Sequence, residues 1–142
     1  MQNKTNWLAI IAAAVAGMGL GFVVYGLLFM EQWAGFHGFT IENDKMFRDG
    51  VEVATSSTPM IVNTVVMFLY ALAMNWLLNK TGETTFTGGL KIGALVGGFM
   101  FFSHYSTNHF SMDAVGLSMI DGFYSVALIA LMGGIIGGWR KK

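Results

Sequence analysis

Four long apolar runs, separated by one wide and two narrow polar intervals, organise the chain. The first, Trp7 to Met30, is 24 residues without a charge. A hydrocarbon core of about 30 Å takes about 20 helical residues, so this run is long enough to span and too long for the apolar part of a signal peptide. Lys4 and Ala14-Val15-Ala16 give it some signal-like flavour, but an uncleaved first transmembrane helix fits better. Ser56-Ser57-Thr58 with Pro59 marks the start of a second helix, because proline tolerates the first helical position. The pattern predicts spans over about 6–30, 59–78, 89–104 and 117–139, with an extramembrane loop over 31–57, all in one integral membrane domain, 1–142. The fold class is all-α membrane protein, four transmembrane helices in a compact glycine-packed bundle.

Within the spans, small residues recur at helical spacing. Ala9, Ala13, Gly17 and Gly21 lead to Tyr25 in steps of four, and Gly89, Gly93 and Gly97 repeat the step in the third span. Gly133 with Gly137 and Gly134 with Gly138 form two overlapping GxxxG pairs in the fourth. Hydrophobic burial does not hold helices together in lipid, so close backbone approach at small residues does that work. Three laddered helices out of four exceed what one small bundle plainly requires, which points to a homo-oligomer. Trp7 at one end, and Tyr25 with Trp33 at the other, suit the headgroup level.

The polar intervals carry the candidate chemistry. The wide loop holds Glu31, Glu42, Asp44, Asp49 and Glu52 against Lys45 and Arg48. Thr40 is placed to cap a short amphipathic helix over Ile41 to Arg48, ended by Gly50. Between the last two spans, Ser103 to Asp121 contains His104, His109, Asp113 and Asp121. His104 lies seven residues after Gly97, on nearly the same helical face, and so projects toward protein with a partner on helix one, two or four. His109 and Asp113, four apart, share a face if helical, whereas His104 and His109 do not. In the second span Thr64 and Asn75 share a face and Asn63 lies about 120° away. Buried amides in lipid need partners, so interhelical hydrogen bonding is the first reading for both asparagines and solute contact the second.

Composition narrows the classes. Only 11% of residues are charged and 54% are hydrophobic, against roughly 25% charge in soluble domains. Net charge is zero with no basic stripe, which excludes a nucleic-acid partner and leaves the lipid bilayer as the certain one. Without cysteine there are no disulfides, thiolate nucleophiles or thiolate metal ligands. No metal set is assigned, and no cofactor is specified.

Charge also orients the chain. With four spans, Lys4, Lys80, Lys91, Arg140, Lys141 and Lys142 share one side, and Lys45 and Arg48 the other. The positive-inside rule then puts both termini in the cytoplasm of an inner-membrane protein, with Lys91 snorkelling to the headgroups. The histidines and Asp121 fall on the outer side. Counted from Arg140, Asp121 is 19 residues along, about 28 Å at 1.5 Å per residue, which sets it at the outer rim rather than at mid-bilayer.

The run Gly21-Phe22-Val23-Val24-Tyr25-Gly26-Leu27-Leu28-Phe29, followed by Trp33 and the polar loop, resembles the opening of the DUF1761 family of small membrane proteins. Asp121-Gly122-Phe123-Tyr124 and the glycine-rich finish before Trp139-Arg140 resemble its end. The resemblance implies four helices and no assigned activity.

Three functions fit. The first is passage or binding of a small solute or ion at a polar outer vestibule built from His104, His109, Asp113 and Asp121, with Asn75 and Asn63 as further contacts. The second is a non-catalytic scaffold that binds lipid or a partner membrane protein. The third, a small membrane enzyme, has least support: no nucleophile, base and orienting group stand at a catalytic spacing.

Overall fold

The computed structural model describes residues 5–54 and 56–140. Lys4, Lys141 and Lys142, used above for orientation, lie outside the described residues. Helix α1 (Trp7–Gly21) widens into a π-helical segment (Phe22–Leu28), then α2 (Met30–Phe36), strands β1 (Thr40–Glu42), β2 (Lys45–Arg48) and β3 (Val51–Glu52), and helices α3 (Thr58–Thr81), α4 (Phe86–Met112) and α5 (Val115–Gly138) follow. Among the described residues, four helical segments, Trp7–Leu28, Thr58–Thr81, Phe86–Met112 and Val115–Gly138, are long and apolar enough to cross a membrane.

Local signals set the helix ends. Asn6 caps α1 by accepting from the Ala9 amide at 3.2 Å, and Thr85 caps α4 by accepting from Gly88 at 3.0 Å. Pro59 stands in the first turn of α3, whose far end is closed by Gly82 at φ +70°.

Two expectations are corrected. The loop segment Ile41 to Arg48 is not a helix capped by Thr40 but part of a three-stranded antiparallel sheet in the order β1-β2-β3. The register pairs Glu42 with Lys45 and Arg48 with Val51, leaving two-residue turns at Asn43-Asp44 and Asp49-Gly50. All four turn residues have positive φ, 49° and 61° in the first and 53° and 78° in the second. Asn, Asp and Gly tolerate that backbone best, and tight hairpins require it, so turn chemistry overrides the amphipathic pattern. Lys45 and Glu52 close the sheet with an ion pair at 2.9 Å.

The third long helix, expected to end near His104, continues to Met112. No glycine or proline interrupts Ser103 to Met112, so the change to polar residues does not end the helix. It stops where Asp113 turns left-handed at φ 48°.

One apolar core joins α1, α3 and α5: Ile10, Ala13, Ala14, Met67, Ala71, Met74, Leu78, Leu128, Ile129, Met132 and Ile136 are all buried there. Gly17 admits Met132 and Leu128; a Cβ in its place would lie 2.5 Å from Met132 Cε. α4 packs on α5 backbone to backbone. A Cβ on Gly89 would run into the carbonyl of Gly133, one on Gly93 into that of Ile129, and one on Gly97 would come within 2.6 Å of Val126 Cα. Gly137 likewise faces the Thr85 carbonyl.

Asn6 meets Trp139, and Arg140 meets the α3–α4 turn, at one end of the molecule. The Asn6 amide donates to the Trp139 carbonyl at 3.0 Å. The Arg140 guanidinium donates to the Asn75 carbonyl at 2.8 Å, to Asn75 Oδ1 at 3.1 Å and to the Glu83 carbonyl at 3.3 Å. α2, the sheet and the α4–α5 junction occupy the opposite end.

Candidate functional site at the rim opposite the termini

The side chains converging at that opposite end come from three spans. The π-helical turn closes with the Phe29 amide on the Val24 carbonyl at 2.9 Å, a wider turn than an α-helix makes. Tyr25 lies inside it, half-buried, and donates its hydroxyl to Asp121 Oδ1 at 2.8 Å. Asn108 of α4, 8% exposed, donates its amide to Asp121 Oδ2 at 2.8 Å. Asp121 therefore ties α1 and α4 to α5. Its own carbonyl accepts from the Ser125 hydroxyl at 2.8 Å, a bond within α5.

Aromatic rings support the carboxylate from the α1 side. Tyr25 meets Tyr124 edge-on with centroids 4.9 Å apart, and Trp33 edge-on at 6.2 Å. Gly21 makes room for this cluster: a Cβ there would lie 3.0 Å from the Tyr124 hydroxyl. Trp33 in turn packs against the His37 ring at 4.3 Å, and His37 Nδ1 sits 2.8 Å from the Trp33 carbonyl. Arg48 reaches back from β2 to donate to the His37 carbonyl at 3.0 Å, with its guanidinium 4.4 Å from the centre of the Phe39 ring. Phe36 fills the space left by Gly116 at the start of α5. The three-stranded sheet and α2 are thereby fastened to the same corner as Asp121.

The remaining residues singled out from the sequence separate into different places. His109 and Asp113 do share a face: His109 Nδ1 is 3.3 Å from Asp113 Oδ1, with the Asp113 side chain 89% exposed. The His109 ring also stacks on Tyr105, with centroids 5.9 Å apart. His104 is half-buried on α4 and enters none of the Asp121 contacts. The α4 group that reaches a partner on another span is Asn108, one turn further on. Asn75 lies at the other end of the molecule under Arg140, and Asn63 is exposed on α3. Thr64, on the Asn75 face, donates to the Met60 carbonyl of its own helix at 2.8 Å.

Two functional candidates, Tyr25 and Asn108, were not singled out as site residues, though both signals were present. Asn108 is eleven residues beyond Gly97, three turns along the same face. It drops out of view only if the helix is ended at His104. Tyr25 continues the row from Ala9 to Gly21, which faces protein, and so belongs to the packed interior as much as to an aromatic belt.

An ionised carboxylate accepts at about four lone-pair positions. Tyr25 and Asn108 fill two of those on Asp121, which leaves acceptor capacity beside a hydroxyl and an amide. No group of three or more metal-ligating side chains is found among the described residues. No curated protein and no solved structure matches the chain. A family model does match, over residues 8–137: the chain belongs to DUF1761, a family described as protein of unknown function.

Proposed function

We propose that the protein is an inner-membrane binding protein, both termini cytoplasmic, that holds a small cation or polyol at an extracytoplasmic vestibule centred on Asp121. The observation that carries this reading is the convergence of Tyr25, Asn108 and Asp121 from three spans upon one incompletely occupied carboxylate. His104 and His109 on α4, and Asp113 at its end, are the further groups we assign to the solute as second contacts. The orientation rests on the lysine and arginine distribution, six residues against two. Binding is favoured over passage, because the interior beneath the vestibule is filled by Ile10, Leu128, Met132 and Ile136, each at most 1% exposed.

The glycine contacts support a compact bundle within one chain. They also use up the ladders that suggested self-association: Gly17 and Gly21 face α5, and Gly89, Gly93 and Gly97 meet α5 backbone directly. A second reading, as a subunit seated against another copy or a partner membrane protein, draws instead on the outward side of α4, where Leu95, Phe99 and Phe102 are 65–72% exposed.

Calorimetric titration of the protein in nanodiscs with a panel of monovalent and divalent cations, small amines and sugars tests the first reading. Binding that weakens at least tenfold in Asp121→Asn and in Asn108→Ala supports it. Absence of heat with every solute in the panel, or binding unchanged in both variants, overturns it.

A further inference from the structure

The stretch from α2 through β3 is tied closely to itself and only lightly to the spans. The Phe39 amide donates to the Ala34 carbonyl at 2.9 Å and Arg48 of β2 donates to the His37 carbonyl at 3.0 Å, so α2 and the sheet form one body. Among the described residues, no hydrogen bond runs from 30–53 to α3, α4 or α5. Ala34, 1% exposed, is the one buried residue of that stretch. Two ring contacts seat the body on the spans. Phe36 lies on Gly116, where an added Cβ would come within 2.6 Å of the ring, and Trp33 meets Tyr25 at 6.2 Å. Phe36 itself stays 39% exposed.

The chain enters this body through an unusual joint. Phe22–Leu28 is π-helical, and none of its residues is buried. Phe29 follows at φ −127° and ψ 20°, outside the helical region, before α2 begins. Most π-helical segments are single turns inside an α-helix and occur at functional sites. This one spans seven residues, and contacts on either side hold it. Tyr25 within it is bonded to Asp121 of α5, and Phe36 beyond it is seated on Gly116 of the same helix. An α-helical turn closes its hydrogen bonds one residue sooner, which rotates everything that follows by about 100°. Phe36 cannot keep its seat through that rotation.

We propose that α2 and the three-stranded sheet are a lid over the Asp121 corner, which swings as one body on the π-helical turn and Phe29. The structure holds the docked position. When the turn closes as an α-helix, Phe36 leaves Gly116 and Trp33 leaves Tyr25. Residues at the ends of elements commonly absorb the dihedral change of such a hinge. The lid's purpose, access to Asp121, rests on the reading of that carboxylate as the solute site. Its motion does not.

Distances between two spin labels in nanodiscs test the motion without any solute. The chain has no cysteine, so labels on Val51→Cys/Phe110→Cys report alone. Val51 on β3 is 69% exposed and Phe110 on α4 is 93% exposed, so neither label displaces a packed side chain. Two populations are expected, a docked one at the distance of this structure and a minor open one. Phe36→Ala raises the open-to-docked ratio by about tenfold, the effect of giving up roughly half the burial of one large apolar side chain. Gly116→Ala, which crowds the Phe36 ring, moves the ratio the same way. Deleting Leu27 removes a residue from the wide turn, lets it close as an α-helix with the lid still docked, and lowers the open population. If the deletion fails to fold, the two substitutions still decide. A single distance that both leave unchanged overturns the lid, and an open population raised by the deletion overturns its joint. Neither outcome depends on solute binding, so a lid that moves and an Asp121 that binds nothing are told apart.

Discussion

Tyr25 and Asp121, 96 residues apart in sequence, are joined by a 2.8 Å hydrogen bond from phenol to carboxylate. This bond places the end of the first span against the start of the last, and Asn108 adds the third on the other carboxylate oxygen. Tyr25→Phe leaves the rings packed and removes the donor alone. Hydrogen bonds to charged groups contribute about 1.5–3 kcal/mol, and the half-buried setting puts the loss toward the lower end. A Tyr25→Phe/Asp121→Asn double-mutant cycle in detergent unfolding should give a coupling of about 1 kcal/mol. Additive effects of the two substitutions would mean that the bond does not hold the spans together.

The α4–α5 contact makes a sharper structural prediction. At Gly93 an added methyl meets the Ile129 carbonyl and, at 2.8 Å, Ala130 Cα. Backbone cannot move aside as a side-chain tip can, so Gly93→Ala should destabilise by about 1–3 kcal/mol through overpacking. Gly98→Ala, five residues on and with open space at its Cβ, serves as the control. Helix propensity alone favours alanine over glycine by about 1 kcal/mol at both positions. Thermal unfolding in mild detergent should therefore move in opposite directions for the two variants, and equal shifts would contradict the packing described.

The four long apolar helices and their order were legible because hydropathy and run length are imposed directly by bilayer thickness and helix geometry. The outer sheet was not, because Ile41, Met46 and Phe47 suit an amphipathic helix as well as a hairpin; what decides is the pair of dipeptides Asn43-Asp44 and Asp49-Gly50, which accept positive φ. The Asp121 cluster was half legible. Asp121 stood out as a carboxylate near a membrane rim, but its partners depend on a π-helical turn at Phe22–Leu28 and on a helix that runs on through polar sequence to Met112. Neither has a strong periodic signature.

The proposed orientation rests on a charge count and is checked simply. A reporter active only outside the cytoplasm, fused after Lys142, should be silent, and the same reporter inserted between Asp49 and Gly50 should be active. Those two residues form an exposed hairpin turn, so the insertion does not disturb a span. Activity at the C-terminus would invert the assignment and move Asp121 to the cytoplasmic face.

Arg140 links three oxygens from two different segments, the carbonyl and side chain of Asn75 and the Glu83 carbonyl. A planar guanidinium reaches all three at once, which an ammonium does not. Partial burial lowers the guanidinium pKa from its ordinary value, but arginine stays charged throughout the accessible range. Arg140→Gln should cost about 1–2 kcal/mol in detergent unfolding, and Arg140→Lys should recover less than half of that. Full recovery by lysine would show that charge at the helix end, and not the fork, is what matters.

Glu83 gives the turn between α3 and α4 a pH dependence of definite sign. Its Oε1 accepts from the Thr85 hydroxyl at 2.7 Å and from the Thr85 and Thr84 amides at 2.8 and 2.9 Å. These bonds favour the ionised form, led by the Thr85 hydroxyl, and hold the carboxyl below its ordinary range. A group whose pKa is depressed on folding stabilises the fold above its unfolded value, about 4.3 for glutamate, and loses that contribution as pH falls through the folded one. Amide exchange at Thr84 and Thr85 should accordingly be protected at pH 6. That protection should fall away below about pH 4, after correction for the intrinsic exchange rate. In Glu83→Gln it should be weaker at pH 6 and insensitive to pH over the same interval. A wild-type turn equally protected at pH 6 and pH 3 would show that the carboxylate does not organise the α4 N-terminus, leaving Thr85 as the cap on its own.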